Sequence, residues 1–370
     1  MLKIHFLNVG HGDSIIIEYQ RDKDQNSIFG VIDSNVPVDS TTPPTLDKLK
    51  KLGAENLSFI ALTHPHKDHY TGLSAILKEY QGRVDRFYSF PINAYVPGRL
   101  KKLAQIYQKI HDETDSSTLK KGAFEFVEIL HLIKKHIGEN RWEEPNGCDN
   151  KIAPEGFLGL DMYVSLPLSK NKGPYFEMIE SGNPHIMFHH DLNKISMAFC
   201  IKYHGHEIVL AGDGTHSCWM GHKDHFKRMG SPFGGIVTKL PHHGSKHDCS
   251  QRVINHIFSK QEDTKKVGII SADGLSHPHP EIFKNLTENN IHPFCTNLSK
   301  KCGANLMQFN TEPDLTPQFN HQLNLVTDPA YKEKHQPCQG DICVSFEDNG
   351  SINVESQYNN LCPYREAFPF

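Results

Sequence analysis

Residues 64 to 69 read His-Pro-His-Lys-Asp-His, three imidazoles and one carboxylate within six residues, directly after the apolar stretch Leu57-Ser-Phe-Ile-Ala-Leu-Thr63. That stretch has strand composition, and Tyr70 to Tyr80 (YTGLSAILKEY) carries apolar residues at helical spacing, so the six residues are expected to form a strand-to-helix loop. Loops at the carboxyl ends of strands are where open α/β sheets put chemistry. His64 and His66, two apart in extended backbone, point the same way and can chelate one ion. Asp68 and His69, at the turn into the helix, can face a second ion beside it. Imidazole with carboxylate suits zinc and tolerates manganese or iron. In a chain with 25 histidines an isolated pair would mean little; this pattern after a strand points to a two-metal site.

Four further stretches enter the comparison with known families. They are Leu7-Asn-Val-Gly-His-Gly-Asp-Ser-Ile-Ile-Ile17 with Val31-Ile-Asp-Ser34, Glu207-Ile-Val-Leu-Ala-Gly-Asp-Gly-Thr215, Lys239-Leu-Pro-His-His-Gly-Ser245, and Ile270-Ser-Ala-Asp-Gly-Leu-Ser-His-Pro-His-Pro280. The strand from Glu207 ends in Gly-Asp-Gly and leaves Asp213 where a backbone can approach closely. Two dications about 3.5–4 Å apart repel each other, so a shared anionic ligand is needed, and Asp213 is the natural bridge. Gly235 to Leu240 is strand-like and leads into Pro241-His-His-Gly, so one of His242 and His243 should bind metal. Asp33, after Ile28 to Ile32, is expected to accept an imidazole N–H and not to bind metal itself.

Taken in order, these motifs resemble the metallo-β-lactamase superfamily, and within it the subgroup that includes the hydrolase domain of the ComEC/Rec2 DNA-uptake proteins. The resemblance covers roughly residues 1 to 300. It implies an α/β fold, the αββα sandwich with two mixed sheets face to face, helices outside, and metals at one edge where strand ends converge; alternating strands and helices are compatible with that. It implies that His64 and His66 serve the first ion, and that Asp68, His69, Asp213 and His242 serve the second. His243 would then contact the substrate phosphate or orient a ligand, the reverse order of the two histidines staying open. His277 matches the subgroup's Gly-His-Pro-His position except that Ser276 replaces the glycine, and it would donate to a developing oxyanion. Together with Asp68, His243 and His277 are the residues expected to act in catalysis. Most zinc members of the superfamily place a third histidine for the first ion before the strand that leads to Asp213. Here that stretch reads His189-His-Asp-Leu-Asn-Lys-Ile-Ser-Met197, where Asn193 and Ser196 fit the ComEC-like pattern and His189 or His190 is the alternative ligand. The first ion would then be weaker or exchangeable, which makes manganese more plausible, although zinc is still preferred.

The 370 residues suffice for a substantial core. Mean hydropathy is −0.50 and the longest apolar runs are strand-length, short of the ~20 residues that span a bilayer. The start at Met1 shows no charged region, apolar segment and cleavage site of an export signal, and nine scattered cysteines fit a reducing cytoplasm, so a cytoplasmic protein without membrane segments is expected. Residues 1–300 are read as the catalytic domain, interrupted by a helical and loop insertion at 93–160. Gly98 to His111 and Leu119 to Ile137 are expected helices separated by a polar turn, Asp112 to Ser117, and Glu139 to Gly159 is expected to be a loop that could overhang the site. The eight Lys or Arg against five Asp or Glu between Arg99 and Ile137 describe a solvated face and not a nucleic-acid groove. Residues 301–370 are read as an accessory C-terminal extension. Asp341 to Phe346 and Ser351 to Glu355 form a β-hairpin around Glu347-Asp-Asn-Gly350.

Two divalent ions would lower the pKa of a bridging water from 15.7 toward about 7, so no protein nucleophile is needed. The resemblance favours a phosphodiesterase or nuclease acting on single-stranded or short nucleic acid, a nucleotide derivative or another small phosphodiester. A net charge of −4 argues against a broad grip on long duplexes. The alternatives are a carboxylic ester, lactone or thioester hydrolase, which would use the same metals, and a non-catalytic binding module, which usually loses ligands that are complete here.

Overall fold

The computed structural model describes residues 1–21, 26–37, 40–92, 96–148, 150–184, 191–230, 233–261, 265–272, 277–297, 299 and 338–358. The first strands, β1 (Leu2–Phe6) and β2 (Ile15–Tyr19), pair antiparallel with Leu2 opposite Tyr19 and Phe6 opposite Ile15. Side chains alternate along a strand, so Leu2, Ile4 and Phe6 enter one apolar layer while His5 faces the other side, beside Glu18. The strands β3 (Ile28–Ile32), β4 (Leu57–Leu62) and β5 (Val84–Ser89) follow in parallel pairs, which places their carboxyl ends together. Their near-continuous burial is what strands covered on both faces require.

A second sheet is built from β8 (Asp161–Leu166), β9 (Ala198–Tyr203), β10 (His206–Leu210), β11 (Val237–Lys239), β12 (Lys266–Ile270) and β13 (Ile291–Cys295), the last four parallel to one another. Short strands from the Glu139 to Gly159 stretch close both edges: β6 (Trp142–Glu143) beside β5, and β7 (Asn150–Ile152) beside β8. The C-terminal hairpin is β14 (Ile342–Phe346) and β15 (Ile352–Ser356). It extends the first sheet through β14 against β1, giving eight strands there and seven in the second sheet among the described residues.

The two sheets pack face to face on Leu2, Ile4, Phe6, Ile15 and Ile17 from one side and Val164, Phe199, Ile201, Ile208 and Leu210 from the other. Helices Pro44–Lys51, Leu73–Glu79, Arg99–Glu113, Ser117–Leu132 and Ser169–Ser181 cover the outer face of the first sheet. Helices His216–Met229, Gln251–Ile257 and Pro280–Glu288 cover that of the second. This is an αββα sandwich. None of the helices among the described residues is long and apolar enough to cross a membrane.

The single helix expected over Tyr70 to Tyr80 is two pieces, one turn at Lys67–Tyr70 and then Leu73–Glu79. Thr71 is extended and Gly72 sits at φ 93°, a conformation open to glycine, and this breaks the helix while keeping Asp68 and His69 on a rigid turn. The helices Arg99–Glu113 and Ser117–Leu132 form an antiparallel hairpin in which Tyr107 stacks on Phe126 with ring centres 3.9 Å apart. The Tyr107 hydroxyl donates to the Pro65 carbonyl at 2.8 Å, so this hairpin grips the peptide between His64 and His66.

Candidate metal centre

The parallel strands deliver their carboxyl ends to one place. Asp33 follows β3, His64 to His69 follow β4, Asp213 follows β10, His242 and His243 follow β11, and Ser271 follows β12. The β1–β2 loop closes over this edge, with the Asp13 backbone N–H donating to the Asp68 carbonyl at 3.2 Å. Gly12 makes the approach possible, because at φ 122° it lies so near Asp68 that a Cβ would strike the Asp68 carbonyl oxygen.

Four side chains converge there: Asp68, His69, Asp213 and His243. His69 Nε2 lies 3.5 Å from Asp68 Oδ2 and 3.3 Å from Asp213 Oδ2, and His243 Nε2 lies 3.3 Å and 3.4 Å from the same two oxygens. Both ring nitrogens are buried and make no hydrogen bond. Their partners across the ring are fixed. His69 Nδ1–H donates to Asp33 Oδ2 at 2.7 Å, and His243 Nδ1–H donates to the Ser271 carbonyl at 3.0 Å, so each Nε2 is free to offer a lone pair. Tetrahedral zinc with bonds of about 2.0–2.1 Å has ligand–ligand edges of about 3.3–3.4 Å, close to the four nitrogen–oxygen spacings of 3.3–3.5 Å here, so the donor set fits a divalent ion of that kind.

A second pair adjoins this set. His64 Nε2 and His66 Nδ1 are 2.9 Å apart, and His64 Nε2 is 3.9 Å from Asp213 Oδ2. The Thr63 hydroxyl donates to Asp33 Oδ2 at 2.6 Å and therefore accepts from His64 Nδ1–H at 3.1 Å, which turns the Nε2 lone pair of His64 inward. Asp33, wholly buried, thus orients one histidine of each set.

Burial and charge divide these imidazoles into two kinds. His64 is held well below the ordinary range by burial and by its neighbours His69 and His66, and burial also lowers His66, so both are neutral. Burial acts on His69 and His243 in the same sense, but the surrounding carboxylates overcome it. Asp213, Asp68 and Asp33 hold His69 well above its usual value, and Asp213 and Asp68 bring His243 up to about 10. Burial pushes Asp213 and Asp68 up, yet His243 and His69 hold both carboxylates well below their usual range. The carboxylates therefore favour a proton on each of these two rings, and a dication held among them would displace those protons.

The side chain that the fold brings among Asp68, His69 and Asp213 is His243, where the resemblance had put His242. Both residues have left-handed backbone, φ 46° for His242 and 53° for His243, and this tight turn sends the two rings in different directions. His243 is buried; His242 is partly exposed, with Nδ1 2.7 Å from Asp248 Oδ2 and Nε2 3.3 Å from Asn193 Nδ2. Asp248 is itself held by the His216 N–H at the start of the helix His216–Met229, at 2.9 Å. The His277 ring lies 5.6 Å from that of His242, whose own ring is 6.0 Å from that of His243. His189 and His190 lie outside the described residues.

Three residues of the centre went unassigned in the sequence reading. Lys239, wholly buried at the end of β11, pairs with Asp13 and lies 3.6 Å from Asp213 Oδ1. Asp13 sat unremarked within the Gly-His-Gly-Asp-Ser motif. His11, whose side chain is 56% exposed, brings Nε2 to 3.2 Å from Asp68 Oδ2 at the mouth of the site. Their motifs were visible; what was missing is the closure of the β1–β2 loop over the end of β11.

The chain matches no protein-family model and no curated protein. Among solved structures it is similar to a variant of the CmlA beta-hydroxylase, at 11% identity over 80% of this chain and 52% of that one, with a TM-score of 0.43. It is also similar to Tm1679, described as a metal-dependent hydrolase of the beta-lactamase superfamily, at 8% identity over 80% of this chain and 96% of that one, TM-score 0.40. A third is yeast PDE1, at 10% identity over 80% and 98% of the two chains, TM-score 0.38. The chain spans about half the length of the first two solved structures it matches, 52% and 50%.

Proposed function

We propose that this chain is a metal-dependent hydrolase of the metallo-β-lactamase kind that holds two divalent ions, zinc in preference to manganese, and cleaves phosphodiesters in short or single-stranded nucleic acid, nucleotides or other small substrates. The observation that carries the reading is the convergence of Asp68, His69, Asp213 and His243 with two buried ring nitrogens that make no hydrogen bond. Asp68, His69, Asp213 and His243 would hold one ion, and His64 and His66, beside Asp213, the other. When bound, two such ions would supply a nucleophile from water near neutral pH and polarise the group under attack.

The chain's own residues do the rest. Asp33, Thr63 and the Ser271 carbonyl fix the imidazole tautomers and so the direction of each lone pair. His242, oriented by Asp248, and His277 flank the cluster and are assigned to contact the substrate.

The test is metal analysis of the purified protein followed by turnover of bis-p-nitrophenyl phosphate against a panel of acyl esters. Two equivalents of metal with phosphodiester turnover is the expected result. A protein that binds no divalent metal overturns the whole reading, and turnover of acyl esters alone overturns the substrate class.

A further inference from the structure

A lysine with no solvent exposure stands against the metal centre. Lys239 ends β11, and its ammonium pairs with Asp13, donates to the Gly212 carbonyl at 3.0 Å and lies 3.6 Å from Asp213 Oδ1. A buried ammonium is tolerated when it is paired, and here three oxygens surround it, those of Asp13 and Gly212 within hydrogen-bonding distance and that of Asp213 just beyond it. Two of the three belong to Gly212 and Asp213, the residues that carry the shared ligand. From the other side the Ser196 hydroxyl accepts the Asp213 N–H at 3.0 Å. Asp213 Oδ1 is buried, makes no hydrogen bond and faces the ammonium; Oδ2 faces His64, His69 and His243. Asp13 reaches the remaining donors: its N–H bonds the Asp68 carbonyl, and its Oδ1 lies 3.8 Å from His243 Nδ1. The pair also joins the two sheets, since Asp13 precedes β2 in the first and Lys239 ends β11 in the second.

We propose that the buried Lys239–Asp13 ion pair is a positioning device for the metal centre: it holds Asp213 so that Oδ2 alone faces the ligand cluster, and sets the spacing of Asp68 and His243 against it. This rests on the metal-dependent reading above. A cross-sheet pair serving only stability would leave metal binding untouched, and the two roles can be separated without altering the charge of the pocket. Lys239→Met combined with Asp13→Asn removes one positive and one negative charge, so a change in metal affinity reports position and not net charge.

The measurement is zinc binding to the metal-free full chain by competition with a chromophoric chelator, beside thermal unfolding of the same metal-free proteins. The double variant should fold, yet bind zinc about 10–100-fold more weakly than the wild type, the usual effect of losing a group that orients ligands. Wild-type zinc affinity in a folded double variant overturns the inference. If that variant does not fold, Lys239→Gln with Asp13→Asn, which retains a hydrogen bond between the two positions, takes its place. If it too fails to fold, or folds and binds zinc as the wild type does, the pair is structural only and the inference falls. Failure of the wild type to bind zinc overturns the metal reading instead, so the two failures are distinct.

Discussion

Replacing His243 by alanine should strip metal from the cluster, and replacing His242 should not. His243 Nε2 stands 3.3–3.4 Å from the oxygens of Asp68 and Asp213, whereas His242 is held outside the cluster by Asp248. A four-ligand zinc site is worth about 10–16 kcal/mol in total, so one of four equal donors contributes on the order of 3–4 kcal/mol. At 1.36 kcal/mol per factor of ten, His243→Ala should weaken zinc binding by about 10²–10³. His242→Ala leaves the donor set whole, so its zinc affinity should stay within about threefold of the wild type while turnover falls, since this ring flanks the substrate. Chelator competition measures the first quantity and bis-p-nitrophenyl phosphate hydrolysis the second. Because His243 is buried, thermal unfolding of the metal-free variants accompanies both. Metal loss in His242→Ala with retention in His243→Ala would refute the assignment and restore the order that the resemblance implied.

Three further outcomes follow from the same geometry. Since carboxylates hold His69 well above 6.5 and His243 near 10, zinc binding at pH 7 should expel about two protons from these rings, measured by calorimetry in buffers of different ionisation enthalpy; release of fewer than one would remove the imidazolium pair. The sign for stability follows from raised values: in the metal-free chain the contribution of these pairs is complete below pH 6.5 and is lost as pH rises through about 10 for His243. Asp33→Asn should lower zinc affinity about 10–100-fold, because the carboxylate orients His69 directly and His64 through Thr63, and unchanged affinity would show that these tautomers need no such acceptor. Tyr107→Phe should lower the free energy of unfolding by about 0.5–1.5 kcal/mol through loss of the bond to Pro65, and equal urea midpoints would show that the helical hairpin does not brace the loop from His64 to His69.

The first cluster was legible because its residues are contiguous: strand composition and spacing alone place His64, His66, Asp68 and His69 at one strand end. Asp213 was legible for the same reason, Gly-Asp-Gly closing an apolar run. The choice between His242 and His243 was not, since it depends on two successive left-handed residues, a backbone state that no residue type in Pro-His-His-Gly dictates. Lys239 and Asp13 are some 226 residues apart and meet when two sheets close on each other, an event without local trace. The break at Gly72 was masked by the helical spacing of the apolar residues around it, which continues through the kink.

The pairing of β14 with β1 bears on how the polypeptide assembles. Leu2 lies opposite Phe346 and Phe6 opposite Ile342, so β1 gains one of its two neighbours only after some 340 more residues have been made. Until then one row of its amide and carbonyl groups is an open template for any extended segment that meets it. Loop closure across so long a span makes this late pairing slow. Chains interrupted upstream of Ile342 would therefore carry that bare edge permanently, and should self-associate through it even though every residue of the metal centre is present.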